Sequence, residues 1–242
     1  MGHETRGADE MEPLGVSNLP VTTPPNLRQR RPIPGTVSTC DTVYRDLLGA
    51  AAWSRLQPEV RQRFSVRPAG NEQINYTGVM HMVELSFAGW LFAQLCRMFG
   101  TPLAPHRGKN VRMDIELAWD ENLQGVSWHR TYYFIPDKEF TVRSTKSHGD
   151  EHDLIEHIGH GFSMRLKLSE RSGNLVFTST HYEFALAGFR IRIPALLTPG
   201  VTTVTHEQIL GDRFRFILSV DHPLLGNTIF QDGEFHSDVN ER

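Results

Sequence analysis

The chain has 242 residues, of which 39% are hydrophobic, and its formal net charge is -3 at pH 7. This composition can bury a core, and the charge gives no long-range attraction for nucleic acid or for anionic membranes. The two cysteines, Cys40 and Cys96, provide neither a disulfide framework nor a zinc site, which favours a reducing compartment. We therefore predict a soluble, cytoplasmic protein without a membrane span, since the most apolar stretch, residues 85–99, is shorter than the ~20 residues that a span needs.

The first 38 residues are predicted to form a disordered tail, followed by a single domain over residues 39–242. The tail is rich in Pro, Thr, Asn and Gly and shows no periodicity, which is typical of segments that cannot bury a core. Its basic cluster, Arg28-Gln29-Arg30-Arg31, leaves a second interpretation open, in which the tail is an interaction arm.

Short helices are predicted at the start of the domain. Asp41 is a suitable N-cap for a helix that ends at Gly49. Pro58 suits the first turn of a second helix that reaches Phe64, because the missing N–H of proline costs nothing there.

The longest helix is predicted after a short strand at residues 76–83. Ser86 can cap it, and Gly100 ends it. Its apolar residues recur at steps of three and four and so form one face: Phe87, Trp90, Leu91, Leu95 and Met98. We interpret this segment as a helix that caps the core or forms an interface.

From Lys109 onward the apolar period changes to two, which is typical of half-buried strands. Residues 111–117 and 162–168 alternate clearly. The turn Ser172-Gly173-Asn174 then predicts a hairpin that continues over residues 175–186. The proline-bounded segment 194–200 is predicted to be a plug or lid.

Two last strands are predicted at residues 214–220 and 227–235, which brings the total to about eight or nine. That number is near the point at which a curved sheet closes around one small ligand. The predicted fold class is therefore α+β and mainly antiparallel β: a strongly curved sheet or barrel with a capping helix and short N-terminal helices.

Several short motifs follow one another along the chain in a recognisable order. They are Leu47-Leu48-Gly49, Leu56-x-Pro58-x-Val60, Trp128-x-Arg130, Glu156 before Gly159 and Gly161, Leu196-x-x-Pro199, Phe214-x-Phe216 and His222-Pro223-x-x-Gly226. Over residues 42–236 this series resembles the bacterial family called domain of unknown function 4166 (DUF4166). The resemblance implies a small bacterial domain that occurs alone or fused behind Rossmann-type oxidoreductase domains, and it implies no particular activity.

Polar residues among apolar ones mark the candidate ligand-binding positions. Arg130 shares a strand face with Trp128 and Tyr132 if the alternation is unbroken, and an arginine on an aromatic face is costly unless it is paired. His181 and Tyr182 lie on opposite faces of a strand, so one of them should point inward and form hydrogen bonds there. These five residues are predicted to contact a ligand.

Glu156 and His160 are the candidate catalytic residues. They share parity within a predicted strand, which would bring a carboxylate and an imidazole close to Arg130. The cluster has three interpretations: a structural ion pair, the polar part of a binding site, or an acid and base in catalysis. A bulge at Gly159 or Gly161 would reverse the parity.

Four histidines lie close together in the sequence, at positions 148, 152, 157 and 160. They lack the spacing on one coherent element, and the thiolate partners, that a metal site would need. We therefore predict neither a metal nor a cofactor.

Three functions remain open. The first is a module that binds a small apolar molecule with a polar or acidic head, which Arg130 would anchor. The second is a cofactor-free isomerase, cyclase or hydratase that uses Glu156 and His160 in the same cavity. The third, implied by the family resemblance, is an accessory domain for an oxidoreductase, which would need an exposed apolar face.

Overall fold

Antiparallel strands make up most of the fold. The computed structural model describes residues 39–40, 42–97, 103–135, 138–149, 153–186 and 188–238, so the predicted tail, Asp41 and Gly100 lie outside the described residues. The strands are β1 Thr39–Cys40, β2 Val66–Arg67, β3 Gln73–Leu85, β4 Gly108–Asp120, β5 Gly125–Ile135, β6 Lys138–His148, β7 Leu154–Gly159, β8 Phe162–Arg171, β9 Asn174–Leu186, β10 Phe189–Ile193, β11 Val201–Gln208, β12 Arg213–His222 and β13 Gly226–Ser237.

Ten of these strands close into a barrel. Their order is β9-β11-β12-β13-β3-β4-β5-β6-β7-β8, and β8 pairs again with β9 to complete the ring. β10 is an additional strand that pairs with the end of β9, while β1 and β2 form a separate small sheet. The predicted curved, mainly antiparallel sheet is confirmed, with more strands than expected because β10 and β11 were not recognised.

The barrel interior follows from the alternation that predicted the strands. Along β12 the side chains of Phe214, Phe216, Leu218 and Val220 are buried, and the intervening residues are more exposed. A closed ring lets every strand hide one apolar face without leaving a free sheet edge. Among the described residues, no helix is both long and apolar enough to cross a membrane.

Three short helices cover one end of the barrel: α1 Val43–Leu48, α2 Ala50–Arg55 and α3 Pro58–Phe64. The first ends at Gly49 as predicted but has Thr42, not Asp41, at its N-cap position, and Pro58 begins α3 as expected. Tyr44 and Phe64 pack edge to face at 5.1 Å between ring centroids, and both rings contact Phe177 inside the barrel. These aromatic contacts close this end.

The fourth helix, α4 Phe87–Cys96, lies at the opposite end. Ser86 caps it as predicted, because its Oγ accepts a hydrogen bond from the backbone N–H of Gly89 at 3.1 Å. Its burial differs from the expectation that the apolar face would pack on the core: the buried residues are the small ones, Gly89 and Ala93. Much of the apolar face is exposed instead, namely Phe87, Trp90, Leu91 and Leu95.

Candidate functional site

A cavity of about 270 Å³ lies inside the barrel, beneath α4 and residues 195–199. The segment 194–200, predicted to be a plug or lid, forms a single 3₁₀ turn at Ala195–Leu197, and Leu197, Thr198 and Pro199 line the cavity. Most of the remaining wall is apolar: Phe92, Leu95, Leu103, Ile158, Phe162, Met164, Ile193, Val204, Phe216, Leu218 and Val220. The polar part of the wall comprises Trp128, Arg130, Ser144, Lys146, Glu156, Tyr182, Thr202 and His206.

The charged side chains of the cavity come from three neighbouring strands. β5 contributes Arg130, β6 contributes Ser144 and Lys146, and β7 contributes Glu156. Lys146 pairs directly with Glu156 in the register between β6 and β7. Because residues opposite each other in a ladder share a face, this register places cation and carboxylate side by side.

These groups form a buried ionic cluster. Lys146 Nζ donates to Glu156 Oε1 at 3.0 Å, and Arg130 Nη2 lies 3.9 Å from the same oxygen. Arg130 Nη2 also donates to Ser144 Oγ at 2.7 Å. Lys146 Nζ further lies 4.9 Å from the centre of the Trp128 ring, a cation–π contact. Two cationic side chains therefore share one carboxylate.

Burial and charge act in opposite directions on Glu156. Burial by itself raises the pKa of its carboxyl, but the positive charges of Lys146 and Arg130 outweigh burial, so the net pKa is lowered. Burial lowers the pKa of Lys146, and the neighbouring Glu156 offsets part of that effect. Glu156 is thus an ionised carboxylate at neutral pH, and with Lys146 protonated the cluster carries an excess positive charge.

Three side chains of the cavity wall each carry a buried polar atom without a hydrogen-bond partner among the described residues. These atoms are Trp128 Nε1, Arg130 Nε and His206 Nδ1. The first two can only donate a hydrogen bond. Buried donors are nearly always satisfied in native proteins, because leaving one unpaired costs ~1–3 kcal/mol. This part of the wall therefore lacks an acceptor.

His206 lies at the deep end of the cavity among aromatic rings. Its imidazole contacts Phe64 at 5.0 Å and Phe216 at 5.5 Å between ring centroids, both edge to face. Burial in these surroundings lowers the pKa of His206 well below its usual value, and the positive charges of Arg63 and Lys146 act in the same direction. The imidazole is therefore neutral at neutral pH.

The five predicted ligand-binding residues do not all meet. Trp128, Arg130 and Tyr182 line the cavity. Tyr182 is the inward member of its pair: its hydroxyl shares a hydrogen bond of 2.7 Å with Thr202 Oγ1, and burial raises its pKa to about 12. Tyr132 is buried outside the cavity, where its hydroxyl donates to Gln231 at 2.9 Å.

His181 points away from the barrel interior. Its Nε2 lies 2.9 Å from Glu183 Oε1. It lines a second, more open cleft of about 550 Å³ between the end of β9 and residues 192–195. His181 and the charged cluster therefore belong to different sites.

The two predicted catalytic residues are not brought together. Glu156 is buried in the cavity wall, but His160 is exposed in the two-residue turn between β7 and β8. The residues Gly159, His160 and Gly161 all have positive φ, at 110°, 48° and 84°. What was expected to be one strand is therefore a tight hairpin, and the shared parity of Glu156 and His160 ends at that turn.

Lys146, Ser144, Thr202 and His206 are cavity residues that sequence reasoning missed. A signal for the first two was present, because Val142, Ser144 and Lys146 share one parity in β6 and all face the interior. A lysine at an inward position of a strand is costly unless an anion lies opposite. Within the described ranges, no three His, Cys, Asp or Glu side chains are placed to hold a metal ion.

Comparison with known proteins identifies a family without a described activity. No curated protein and no solved structure matches the chain. A family model, described as a domain of unknown function (DUF4166), matches residues 56–235, which is most of the chain and all of the strands that line the cavity. The chain therefore belongs to the DUF4166 family.

Proposed function

We propose that this protein binds a small amphiphile, an apolar molecule with a carboxylate or similar acidic head, in the barrel cavity. The observation that supports this most strongly is the excess of donors and positive charge on one part of an otherwise apolar wall. Arg130 and Lys146 share a single carboxylate, and Trp128 Nε1 and Arg130 Nε have no acceptor among the described residues.

The head of the ligand would lie against this cationic part. An anionic oxygen there would accept from Arg130 and Trp128, which satisfies buried donors and balances the positive charge at the same time. Hydrogen bonds that involve a charged group contribute about 1.5–3 kcal/mol, more than neutral ones. A neutral head would satisfy the donors but would leave the charge.

The rest of the ligand would lie against the apolar wall. Phe92, Leu95, Phe216 and Leu218 are among the apolar residues that line the cavity. A cavity of about 270 Å³ is slightly smaller than typical ligand sites, which are ~300–1,000 Å³. The ligand class is therefore a short-chain or compact amphiphile.

The test compares two probes that have the same tail and different heads, octanoate and octanol, by isothermal titration calorimetry. The proposal expects octanoate to bind more tightly. The substitution Arg130→Met should lower octanoate affinity by ~10- to 100-fold and leave octanol affinity nearly unchanged, because it removes one charge-assisted contact.

A matched control is Arg143→Met, since Arg143 is exposed on the outer face of β6. It removes the same charge without changing the cavity, so octanoate affinity should stay as in the wild type. If octanol binds as well as octanoate, or if both arginine variants lose affinity equally, the assignment of an acidic head is wrong.

A further inference from the structure

The end of the barrel at which the cavity opens carries a large exposed apolar patch. We define this mouth patch by six residues from α4, β10, the 195–197 turn and the β12–β13 turn: Phe87, Leu91, Phe189, Ile191, Leu196 and Leu224. Phe87, Phe189 and Leu224 are each 75% exposed. Several large apolar side chains exposed on the elements around one cavity opening are uncommon on soluble proteins and indicate a site of interaction.

The elements that carry the patch are joined around the cavity opening. Thr228 Oγ1, at the start of β13, donates to the carbonyl of Pro199 at 2.8 Å. The ring of Phe92 in α4 lies 6.1 Å from that of His222 at the end of β12. Phe92, Pro199 and Leu197 also line the cavity. Ile193 of β10 lines it as well, so α4, the 195–197 turn and β10 each contribute residues both to the cavity wall and to the patch.

Basic residues surround this end of the barrel. On β10, Arg190 and Arg192 alternate with Phe189 and Ile191, and all four are exposed. Arg190 lies 3.9 Å from Glu183, so its charge is partly balanced. The described residues contain no carboxylate within ion-pair distance of Arg192 or of Arg97, which follows α4.

Among the described residues, further exposed cations at the same end are Arg107, Lys109 and Lys138, and the exposed carboxylates are Glu84, Glu139 and Asp221. Asp221 already accepts hydrogen bonds from Ser219 and Asn227. An apolar surface flanked by an excess of cations is complementary to a bilayer that contains anionic lipids, in which side chains such as Phe and Leu enter the acyl region and Arg and Lys stay at the headgroups.

We infer that the mouth patch docks on the surface of an anionic lipid membrane and that the amphiphile passes between the bilayer and the cavity there. This inference rests on the proposed function, because it names the source of the ligand. A membrane accounts for both observations at once: it covers an apolar patch edged with cations, and it holds molecules with an apolar tail and an acidic head.

The experiment is flotation of the full chain with vesicles of phosphatidylcholine, with or without phosphatidylglycerol. The wild type should float with the mixed vesicles and much less with phosphatidylcholine alone. The double variant Phe87→Glu/Leu224→Glu should lose association by at least ~100-fold, since each buried side chain contributes and each new carboxylate is repelled. Both positions are 75% exposed, so folding is preserved.

The matched control is the double variant Leu123→Glu/Leu210→Glu, because these leucines are exposed at the opposite end of the barrel. It should float as the wild type does. The inference is overturned if the wild type does not float, or if both double variants lose association equally. It is also overturned if the wild type is a dimer in solution that only Phe87→Glu/Leu224→Glu dissociates, since a second copy would then cover the patch.

Octanoate binding in solution separates this inference from the proposed function. Both double variants leave the cavity unchanged, so each should bind octanoate with wild-type affinity. If octanoate binds but no variant or vesicle mixture supports flotation, only the membrane docking fails. If flotation follows the expected pattern and octanoate does not bind, the proposed ligand class fails while the docking surface stands.

Discussion

The buried imidazole of His206 predicts a loss of stability in mild acid. Burial lowers the pKa of this group well below its usual value, so in the folded protein it stays neutral as the pH falls. In the unfolded chain it binds a proton below about pH 6.5, which pulls the equilibrium towards unfolding. The stabilising contribution of the neutral imidazole is therefore fully present above about pH 6.5, and it is lost as the pH falls towards the folded pKa.

The size of this loss follows from proton linkage. With an unfolded pKa of about 6.5 and no protonation in the folded state, the free energy of unfolding falls by about 1.2 kcal/mol between about pH 7 and about pH 5.5. Urea denaturation at these two pH values measures it. In the variant His206→Leu the imidazole is absent, so the loss between the two pH values should be smaller than in the wild type by that amount.

The variant His81→Leu is the control, because it removes an exposed imidazole from the outer face of β3. It should retain the acid-dependent loss of the wild type. Comparison within one protein cancels the contributions of other titrating groups, including the partly buried His157. Equal losses in the wild type and in His206→Leu would refute the reasoning, since they would mean that the imidazole binds its proton as readily in the folded state.

Two further substitutions test the cluster and the helix that covers it. Glu156→Gln removes the carboxylate beside the buried Lys146, so the free energy of unfolding in urea should fall by ~3–5 kcal/mol, against less than ~0.5 kcal/mol for the control Glu116→Gln, whose side chain is 39% exposed. A loss below ~1 kcal/mol for Glu156→Gln would contradict the buried ion pair. Gly89→Ala would place a Cβ against the carbonyl oxygen of Thr228, so α4 should shift away from β13. The free energy of unfolding should fall by at least ~2 kcal/mol, and octanoate should bind more weakly. Unchanged octanoate affinity would refute the role of α4 as a cover of the cavity.

Local sequence signals predicted elements better than they predicted orientations. The hairpin of β8 and β9 was predictable because Gly173 suits the positive φ of its turn, which the structure has at 84°, with Ser172 before it at 51°. The helix α4 was predictable from its cap and its period, but its burial was not. A close approach to β13 selects the small face with Gly89, and the sequence alone does not show which neighbour a helix will meet.

The strands that were not predicted have patterns that propensity cannot separate from loops. β11 reads Val-Thr-Thr-Val-Thr-His-Glu-Gln, and its inward residues include Thr202 and His206. Polar inward residues are tolerated there because the barrel brings partners from other strands, such as Tyr182 for Thr202. Those partners are distant in sequence, so the compensation is visible only in the closed barrel.

The same limit explains why the ionic cluster was only half predicted. Arg130 and Glu156 were singled out as polar residues on apolar faces, but Lys146 enters through the pairing of β6 with β7. Its presence changes the interpretation of the cluster. A structural ion pair would need one cation for Glu156 and would leave no buried donor unpaired, whereas here two cations surround one carboxylate and Trp128 Nε1 and Arg130 Nε lack partners among the described residues. Since a core selected for stability alone is more stable with apolar residues in these positions, the retained excess of charge favours a site for an anion.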